Sequence, residues 1–160
     1  MNSEYFSVKL SNSIQLGLPL TDLANVTQLE HKNICLVPGV APFWYGVVNF
    51  QGSLLWVLDC DRFFDLESSG DRLSPKLTVV ILQHQIEATQ RQIALTVKQL
   101  QGIISVNPSK LNSVPSSLSA SLQNACQASV EDTNSNQITC ILNISAFLQQ
   151  LYQQSMLVAV

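Results

Sequence analysis

The sequence predicts an all-β fold, a barrel or sandwich built from eight to eleven short strands, with one helix at its C-terminal end. Apolar and polar residues alternate with a period of two in many short runs. Gly, Pro, Asn and Ser separate these runs at regular intervals, as turns do. The spacing becomes helical only near the end of the chain. A parallel βαβ architecture is disfavoured because no long helices alternate with the strands.

The N-terminal part predicts a hairpin and then irregular structure. Residues 6–10 and 14–20 alternate in polarity, and the polar segment 11–13 between them is a natural turn. We predict a helical turn at 21–24 and short strands at 26–29 and 34–37. The following segment contains Pro38, Gly39 and Pro42 and must be irregular, because proline removes a backbone donor and restrains the residue before it.

The middle of the chain predicts a second hairpin and three further strands. Residues 44–50 and 53–58 are rich in β-branched and aromatic side chains, and Gln51-Gly52 between them fits a tight turn because glycine tolerates a positive φ. A short helical or looped segment is predicted at 60–66. A polar, flexible connector is predicted at 67–75. The remaining strands are predicted at 77–83, 91–98 and 102–106.

The C-terminal part predicts a connector, a last hairpin and a helix. Residues 107–124 indicate an extended connector with one helical turn around Leu118 and Leu122. Residues 125–130 and 137–142 form the predicted hairpin, joined by the polar segment 131–136. The terminal helix has Asn143 as its N-cap, and its apolar residues at helical spacing are Ile144, Phe147, Leu148 and Leu151.

Composition narrows the classes of function. The chain has 160 residues, which we assign to one domain over 1–160, and only 12% of them are charged against 46% hydrophobic. The net charge is −3 and no basic run is present, which argues against nucleic-acid binding. No signal peptide and no apolar run of about 20 residues is found, so we expect a cytoplasmic protein without membrane insertion.

No arrangement of residues predicts catalysis, a cofactor or a metal. His31 and His84 each stand alone, without the spacing of a zinc site. Asp59 and Asp61 are two residues apart and would form a carboxylate pair on a strand, but capping or local ion pairing is favoured because a strand ends there and Arg62 is adjacent. The four cysteines form no CxxC pair, and free buried thiols are the default, with disulfides or a metal role as alternatives; they are Cys35, Cys60, Cys126 and Cys140.

The aromatic residues near the second hairpin leave several roles open. Phe43 and Trp44 directly follow the proline-bounded segment, with Tyr45 and Trp56 close by in sequence. They can belong to the core, to a partner surface or to a ligand platform. A β-barrel that binds or hydrolyses a small ligand, with Asp59 beside the tryptophans, is therefore an alternative function.

One stretch resembles the signature of the CheW family, which reads approximately as a proline, a short loop, Ala-Pro, an aromatic or apolar pair and Gly-Val-Val-Asn-Leu-Arg-Gly. From Ile34 to Gly52 this chain reads ICLVPGVAPFWYGVVNFQG, and 53–59 resembles the family's next strand. Weaker likeness covers 14–20, 91–106 and 138–148. The resemblance implies two small five-stranded SH3-like barrels around a shared core. It also implies an adaptor between a CheA-type histidine kinase and the cytoplasmic domain of methyl-accepting receptors.

The resemblance also implies where partners bind. In the family, a groove between the barrels contacts the receptor's helical tip and a barrel face binds the kinase. Residues matching the family's partner-binding region are Gly46, Asn49, Gln51 and Gly52, to which we add Phe43 and Trp44 as interface candidates.

Three positions depart from the family pattern. Gln51 replaces an arginine, Trp56 replaces a proline and Lys98 replaces an aspartate. These departures favour a divergent adaptor, and a CheW-like scaffold of a pilus-based or light-directed motility pathway is the alternative.

Overall fold

The computed structural model describes residues 2–66, 74–86, 88–132 and 137–158. Most of the predicted connector 67–75 and most of the loop 131–136 therefore lie outside the described residues. The described strands are β1 (Ser3–Lys9), β2 (Gln15–Pro19), β3 (Leu23–Glu30), β4 (Trp44–Phe50), β5 (Ser53–Leu58), β6 (Lys76–Ile86), β7 (Thr89–Thr96), β8 (Gln99–Val106), β9 (Cys126–Asp132) and β10 (Gln137–Leu142). The α-helices are α1 (Cys60–Phe63), α2 (Ala120–Ala125) and α3 (Ile144–Val158).

The strands form two five-stranded sheets with the same arrangement. The first sheet has the order β8-β1-β2-β10-β9 and the second has the order β3-β6-β7-β5-β4. Each sheet has one parallel pair of neighbouring strands, β2 with β10 in the first sheet and β7 with β5 in the second. The other neighbouring pairs are antiparallel. The predicted all-β fold of two five-stranded units with a C-terminal helix is confirmed.

One hydrophobic cluster joins the two sheets. Val8 and Leu16 of the first sheet and Val80 and Leu95 of the second belong to the same buried cluster. A second cluster contains only residues of the second sheet and of the segment beside it, such as Ile34. The shared cluster thus contains most of the large buried side chains of the first sheet, with Ile141 as an exception. The second sheet has in addition an apolar cluster of its own.

Phenylalanines connect the short helix α1 to α3 inside the shared cluster. The ring centroids of Phe63 and Phe147 lie 5.6 Å apart with perpendicular planes, and those of Phe64 and Phe147 lie 6.0 Å apart. Phe43 contacts Phe63 edge-on at 5.1 Å. Such edge-to-face contacts are favourable beyond the area they bury, so these rings fix both helices against the sheets.

Side-chain caps start the helices at the places that the sequence marks. The Asn143 side chain accepts a hydrogen bond from the backbone N–H of Ala146 at 3.1 Å, as predicted for an N-cap of α3. The Ser119 hydroxyl accepts from the N–H of Leu122 and begins α2, which is longer than the single predicted turn. In the described residues, no helix is long and apolar enough to cross a bilayer.

Two local predictions need correction. The predicted strand at 34–37 is wrong, because only Cys35 makes a β-bridge, to Val47, and Pro38 then removes a donor. The predicted helical turn at 21–24 is a 3-10 turn at Leu20–Asp22, and β3 begins directly after it.

We expect Phe147→Ala to lower the free energy of unfolding by about 3–5 kcal/mol, because it removes the ring that both phenylalanines of the α1 region contact. Urea unfolding followed by circular dichroism measures the change. Tyr152→Ala, on the same helix but 63% exposed, is the matched control, with an expected effect within about 0.5 kcal/mol. Equal losses in the two variants would contradict this role of Phe147.

Candidate partner-binding site

The six predicted partner-binding residues divide into a buried group and an exposed group. Phe43 and Gly46 are buried and Trp44 is half-buried, whereas Asn49, Gln51 and Gly52 are exposed. The exposed group occupies the tip of the hairpin formed by β4 and β5. The structure therefore brings three of the six candidates together at the hairpin tip. Gly46 lies within β4, and Phe43 and Trp44 lie at the opposite end of the hairpin, where β4 begins.

Gly46 is required by backbone geometry. It has a φ of +141°, and a Cβ built on it would lie 2.1 Å from the carbonyl oxygen of Cys35. The cause is the bridge between Cys35 and Val47, whose two backbone hydrogen bonds of 2.8 and 2.9 Å draw the segment before Pro38 over the edge of β4. No side chain fits between these backbones.

The turn of the hairpin has two residues with positive φ. Gln51 has a φ of 52° and Gly52 a φ of 83°, which is the conformation of a type I′ turn and matches the predicted tight turn. The Asn49 side chain accepts a hydrogen bond from the N–H of Gly52 at 3.1 Å. Asn49 therefore stabilises the turn and at the same time contributes to the exposed tip.

Neighbouring apolar residues extend the exposed tip into a larger surface. Asn49 is paired with Leu54 and Val47 with Trp56, so these four side chains share the outer face of the hairpin. Leu54 is 69% exposed, while Val47 and Trp56 are half-buried. We call this the hairpin surface, defined by Val47, Asn49, Gln51, Gly52, Leu54 and Trp56. Leu54 was not among the predicted site residues, because an apolar residue in a strand is normally expected in the core.

The two tryptophans connect the hairpin to the C-terminal helix. Their ring centroids are 5.2 Å apart, and the indole N–H of Trp44 donates to the Ser155 hydroxyl on α3 at 3.3 Å. Trp56, which stands where the family has a proline, thus packs on Trp44. These contacts hold one flank of the hairpin surface against α3.

A second exposed apolar patch lies on the other sheet. Ile103 is 61% exposed and Leu100 is 38% exposed, both on β8. They pair across the ladder with Phe6 and Val8 of β1, and directly paired residues share a face. Since Val8 belongs to the shared cluster, this β8 patch, defined by Leu100 and Ile103, lies at the solvent rim of the core between the sheets.

The carboxylates near α1 have structural partners. The Asp59 side chain accepts from the backbone N–H of Arg62 at 3.3 Å and caps α1, as predicted. Asp61 accepts from the backbone N–H and the hydroxyl of Ser11, at 3.2 and 2.6 Å, and so connects α1 to the first hairpin. The cavity beside both carboxylates has a volume of about 30 Å³, room for one water, and neither tryptophan lines it.

The histidines have local partners. The His84 Nδ1 lies 2.9 Å from a carboxylate oxygen of Asp22, and the His31 Nδ1 lies 3.1 Å from the backbone oxygen of Ser74. Within the residues that the structure describes, no group of three His, Cys, Asp or Glu side chains is placed to hold a metal ion.

The cysteines are free thiols, and the prediction that they are buried is wrong for one of them. Cys35 is exposed, whereas Cys60, Cys126 and Cys140 are buried. Burial raises the pKa of the Cys60 thiol, and the neighbouring carboxylates raise it further. A hydrogen bond to Cys140, together with burial, raises the pKa of the Cys126 thiol.

Comparison with known proteins gives one family and one fold. The family model of the CheW-like domain matches residues 4–151. No curated protein sequence matches the chain. Among solved structures, the scaffolding protein TtCheW from Thermoanaerobacter tengcongensis is similar, with a TM-score of 0.69 and 16% sequence identity over 89% of this chain and 90% of that one.

We expect Gly46→Ala to destabilise the protein by about 2 kcal/mol or more, because the added Cβ meets backbone and the φ is strained. Gly52→Ala, at a φ of +83° with open space around it, should cost only about 1 kcal/mol. Thermal unfolding of both variants provides the comparison. A Gly46→Ala protein as stable as the wild type would show that the Cys35 segment can move aside.

We expect iodoacetamide at mildly alkaline pH to alkylate Cys35 rapidly in the native protein and to leave the three buried thiols unmodified. The thiolate is the reacting form, and the raised pKa values of Cys60 and Cys126 disfavour it there. Mass spectrometry of digested protein identifies the modified positions. Rapid native labelling of Cys60 would contradict its burial, and labelling after denaturation in guanidinium is the control for intrinsic reactivity.

Proposed function

From the premise that the chain belongs to the CheW-like domain family, we propose that it is a non-catalytic adaptor that connects a CheA-type histidine kinase to the cytoplasmic domain of a receptor. It acts by binding both partners at once, which raises their local concentration and fixes their relative geometry. We further propose that it works in the cytoplasm, where the kinase and the receptor domain would meet it.

The observation that supports this function best is the presence of two separate exposed apolar surfaces, one on each sheet. The hairpin surface belongs to the second sheet, and the β8 patch belongs to the first. An adaptor needs at least two such surfaces, because a protein with one binding face cannot connect two partners. Exposed apolar side chains among polar neighbours are typical of the centres of protein interfaces.

We assign the kinase to the hairpin surface. The kinase can dock against it because Leu54 projects from a hairpin whose turn is held by Asn49. Trp56 contributes a large half-buried ring beside it. A rigid aromatic and an exposed leucine are the kind of anchor on which interface free energy depends.

We assign the receptor to the β8 patch. A helical hairpin presents an apolar stripe, and this stripe can be buried against Leu100 and Ile103 at the rim of the shared core.

The uncharged tip of the hairpin bears on the choice of pathway. Gln51 stands where the family has an arginine, so a partner that uses a carboxylate at this point loses a charge-assisted hydrogen bond. Gln51 therefore favours a scaffold whose partners are adapted to a glutamine at this point, as in a pilus-based or light-directed motility pathway.

We expect Leu54→Lys to weaken binding of the kinase's regulatory domain by about tenfold or more, because a charge replaces the exposed apolar anchor of the hairpin surface. Isothermal titration calorimetry with the purified domain measures the affinity. Binding of a receptor cytoplasmic fragment to the same variant should be unchanged. The matched control is Leu36→Lys, at a leucine that is 79% exposed and lies outside the hairpin surface.

The wild-type chain should form a ternary complex with both partners in size-exclusion chromatography. A chain that binds neither the kinase domain nor the receptor fragment would overturn the proposed function. Loss of both partners in Leu54→Lys, with the fold retained by circular dichroism, would overturn the assignment of separate surfaces.

A further inference from the structure

Two buried cysteines are neighbours on the last two strands of the first sheet. Cys126 is the first residue of β9, and Cys140 lies within β10, which is antiparallel to β9. Cys126 is paired with Leu142, two residues beyond Cys140, so the two cysteines are diagonal neighbours across the ladder. All three side chains belong to the shared cluster between the sheets. The two thiols therefore lie on the same face of the sheet.

A β-bulge is the reason that the two cysteines share a face. Ile141 is paired with Ala128 and Leu142 with Cys126, so Gln127 is an extra residue without a position in the ladder. In a regular strand Cys126 would face away from the shared cluster, because side chains alternate between the two faces. The bulge turns it inward, and its thiol makes a hydrogen bond with that of Cys140.

The hydrogen bond gives the two thiols different chemistry. Bonding to Cys126 lowers the pKa of the Cys140 thiol, although burial opposes this shift. The Cys126 thiol is the group that keeps its proton. A sulfur that is favoured as thiolate beside a second thiol is the arrangement of an attacking cysteine and its resolving partner. Cys60 belongs to the same cluster, but its thiol interacts with Thr96 and with nearby carboxylates instead.

We propose that Cys126 and Cys140 form a reversible disulfide when the chain reacts with a hydroperoxide such as hydrogen peroxide. The Cys140 thiolate attacks a peroxide oxygen, the O–O bond breaks, and the leaving hydroxide takes up a proton to become water. The Cys126 sulfur then attacks the sulfenic acid formed on Cys140, the S–O bond breaks, and a second water leaves with the Cys126 proton. Each sulfur loses one electron and the peroxide gains two.

Burial makes this reaction depend on local opening of β9. This strand is the outer one of its sheet, and within the described part of the chain its free side carries only the bridge between Asn112 and Ser129. Strands with few partners open more readily than central strands do. Hydrogen peroxide is also much smaller than iodoacetamide, so a slight opening admits it. The pair therefore responds to sustained oxidation and stays unreacted during brief alkylation.

The disulfide ties together the places at which two helices join the first sheet. Ala125 ends α2 directly before Cys126, and its carbonyl accepts a hydrogen bond of 2.9 Å from the backbone N–H of Asn143, the N-cap of α3. At the other end of α2, the Ser119 hydroxyl donates to the carbonyl of Phe64 at 2.7 Å. Because a cross-link restricts the unfolded chain, oxidation should stabilise the region where α2 and α3 cover the shared cluster.

Peroxide treatment of the Cys35→Ser chain tests the disulfide, since the exposed thiol of Cys35 is then absent. After catalase removes the peroxide, the chain is alkylated with iodoacetamide in guanidinium. We expect Cys60 alone to be alkylated and the intact mass to reveal the loss of two hydrogen atoms. A protease that cleaves after Glu131 separates Cys126 from Cys140 in sequence. The two peptides should remain joined until dithiothreitol is added.

Oxidation should raise the unfolding temperature of the Cys35→Ser chain by roughly 5 °C or more. Cys140→Ala in the same background is the matched control, and neither a rise nor a loss of two hydrogen atoms is expected for it. If this variant fails to fold, Cys126→Ala takes its place, and the joined peptides test the pair without either variant. Amide hydrogen exchange should slow on oxidation in residues 120–126 and 137–142 and stay unchanged in β3.

A native chain that keeps all its thiols after sustained peroxide treatment would overturn the proposal. A disulfide that includes Cys60 would also overturn it, as would oxidation of Cys126 or Cys140 to sulfinic acid, which dithiothreitol does not reverse. Because no partner takes part in these measurements, their outcome is independent of the proposed function.

Discussion

The constraint on which the rest of the structure depends is that two curled sheets share one hydrophobic cluster. Small barrels bury few large side chains by themselves. The first sheet supplies Val8 and Leu16 to the shared cluster. Its other face combines the buried Ile141 with the buried polar residues Gln15 and Thr139, which are hydrogen-bonded to each other. Most of the first sheet's large buried side chains therefore pack in the cluster shared with the second sheet, which also contains Phe63, Phe64 and Phe147.

This shared core determines where binding surfaces can form. The hairpin of β4 and β5 has its inner face in the interior of the second sheet, with Val48 and Leu55 buried, and its outer face exposed. Gly46 allows the Cys35 segment to lie over the edge of β4, which rigidifies the base of the hairpin. At β8 the shared cluster reaches the solvent. The positions of the two candidate surfaces are therefore determined by where the hydrophobic core reaches solvent.

Much of the fold could be predicted from the sequence, because period-two alternation and turn residues are local signals. The Gln51-Gly52 turn, the Asn143 cap and the Asp59 cap all depend on residues within a few positions of one another. The strand predicted at 34–37 failed because a strand needs a partner, and local sequence does not show that only Cys35 finds one. Cys35 is exposed because it lies at the outer edge of the second sheet, beside β4.

The candidate site was less predictable than the fold. Similarity to a family identifies positions, but it does not distinguish residues that touch a partner from residues that shape the backbone. Gly46 and Phe43, for example, are predicted site residues that are buried in the structure. The exposed Leu54, Leu100 and Ile103 give no signal in the sequence, because an apolar residue in a strand looks the same whether its face is covered or open. Only the pairing registers, such as Ile103 with Phe6, assign these side chains to a surface.

The low content of charged residues affects how the outer edges of the two sheets are protected from pairing with other strands. Soluble proteins generally protect sheet edges with lysine, proline or short strands. With only 12% charged residues, this chain has few such side chains, and it covers two of its four edges with single bridges instead. Each bridge uses a segment fixed by local structure, as His31–Asn33 fixes the approach of Cys35. Among the residues that the structure describes, the edge of β8 has neither a bridge nor a charge, and its protection is the bulge at Gly102.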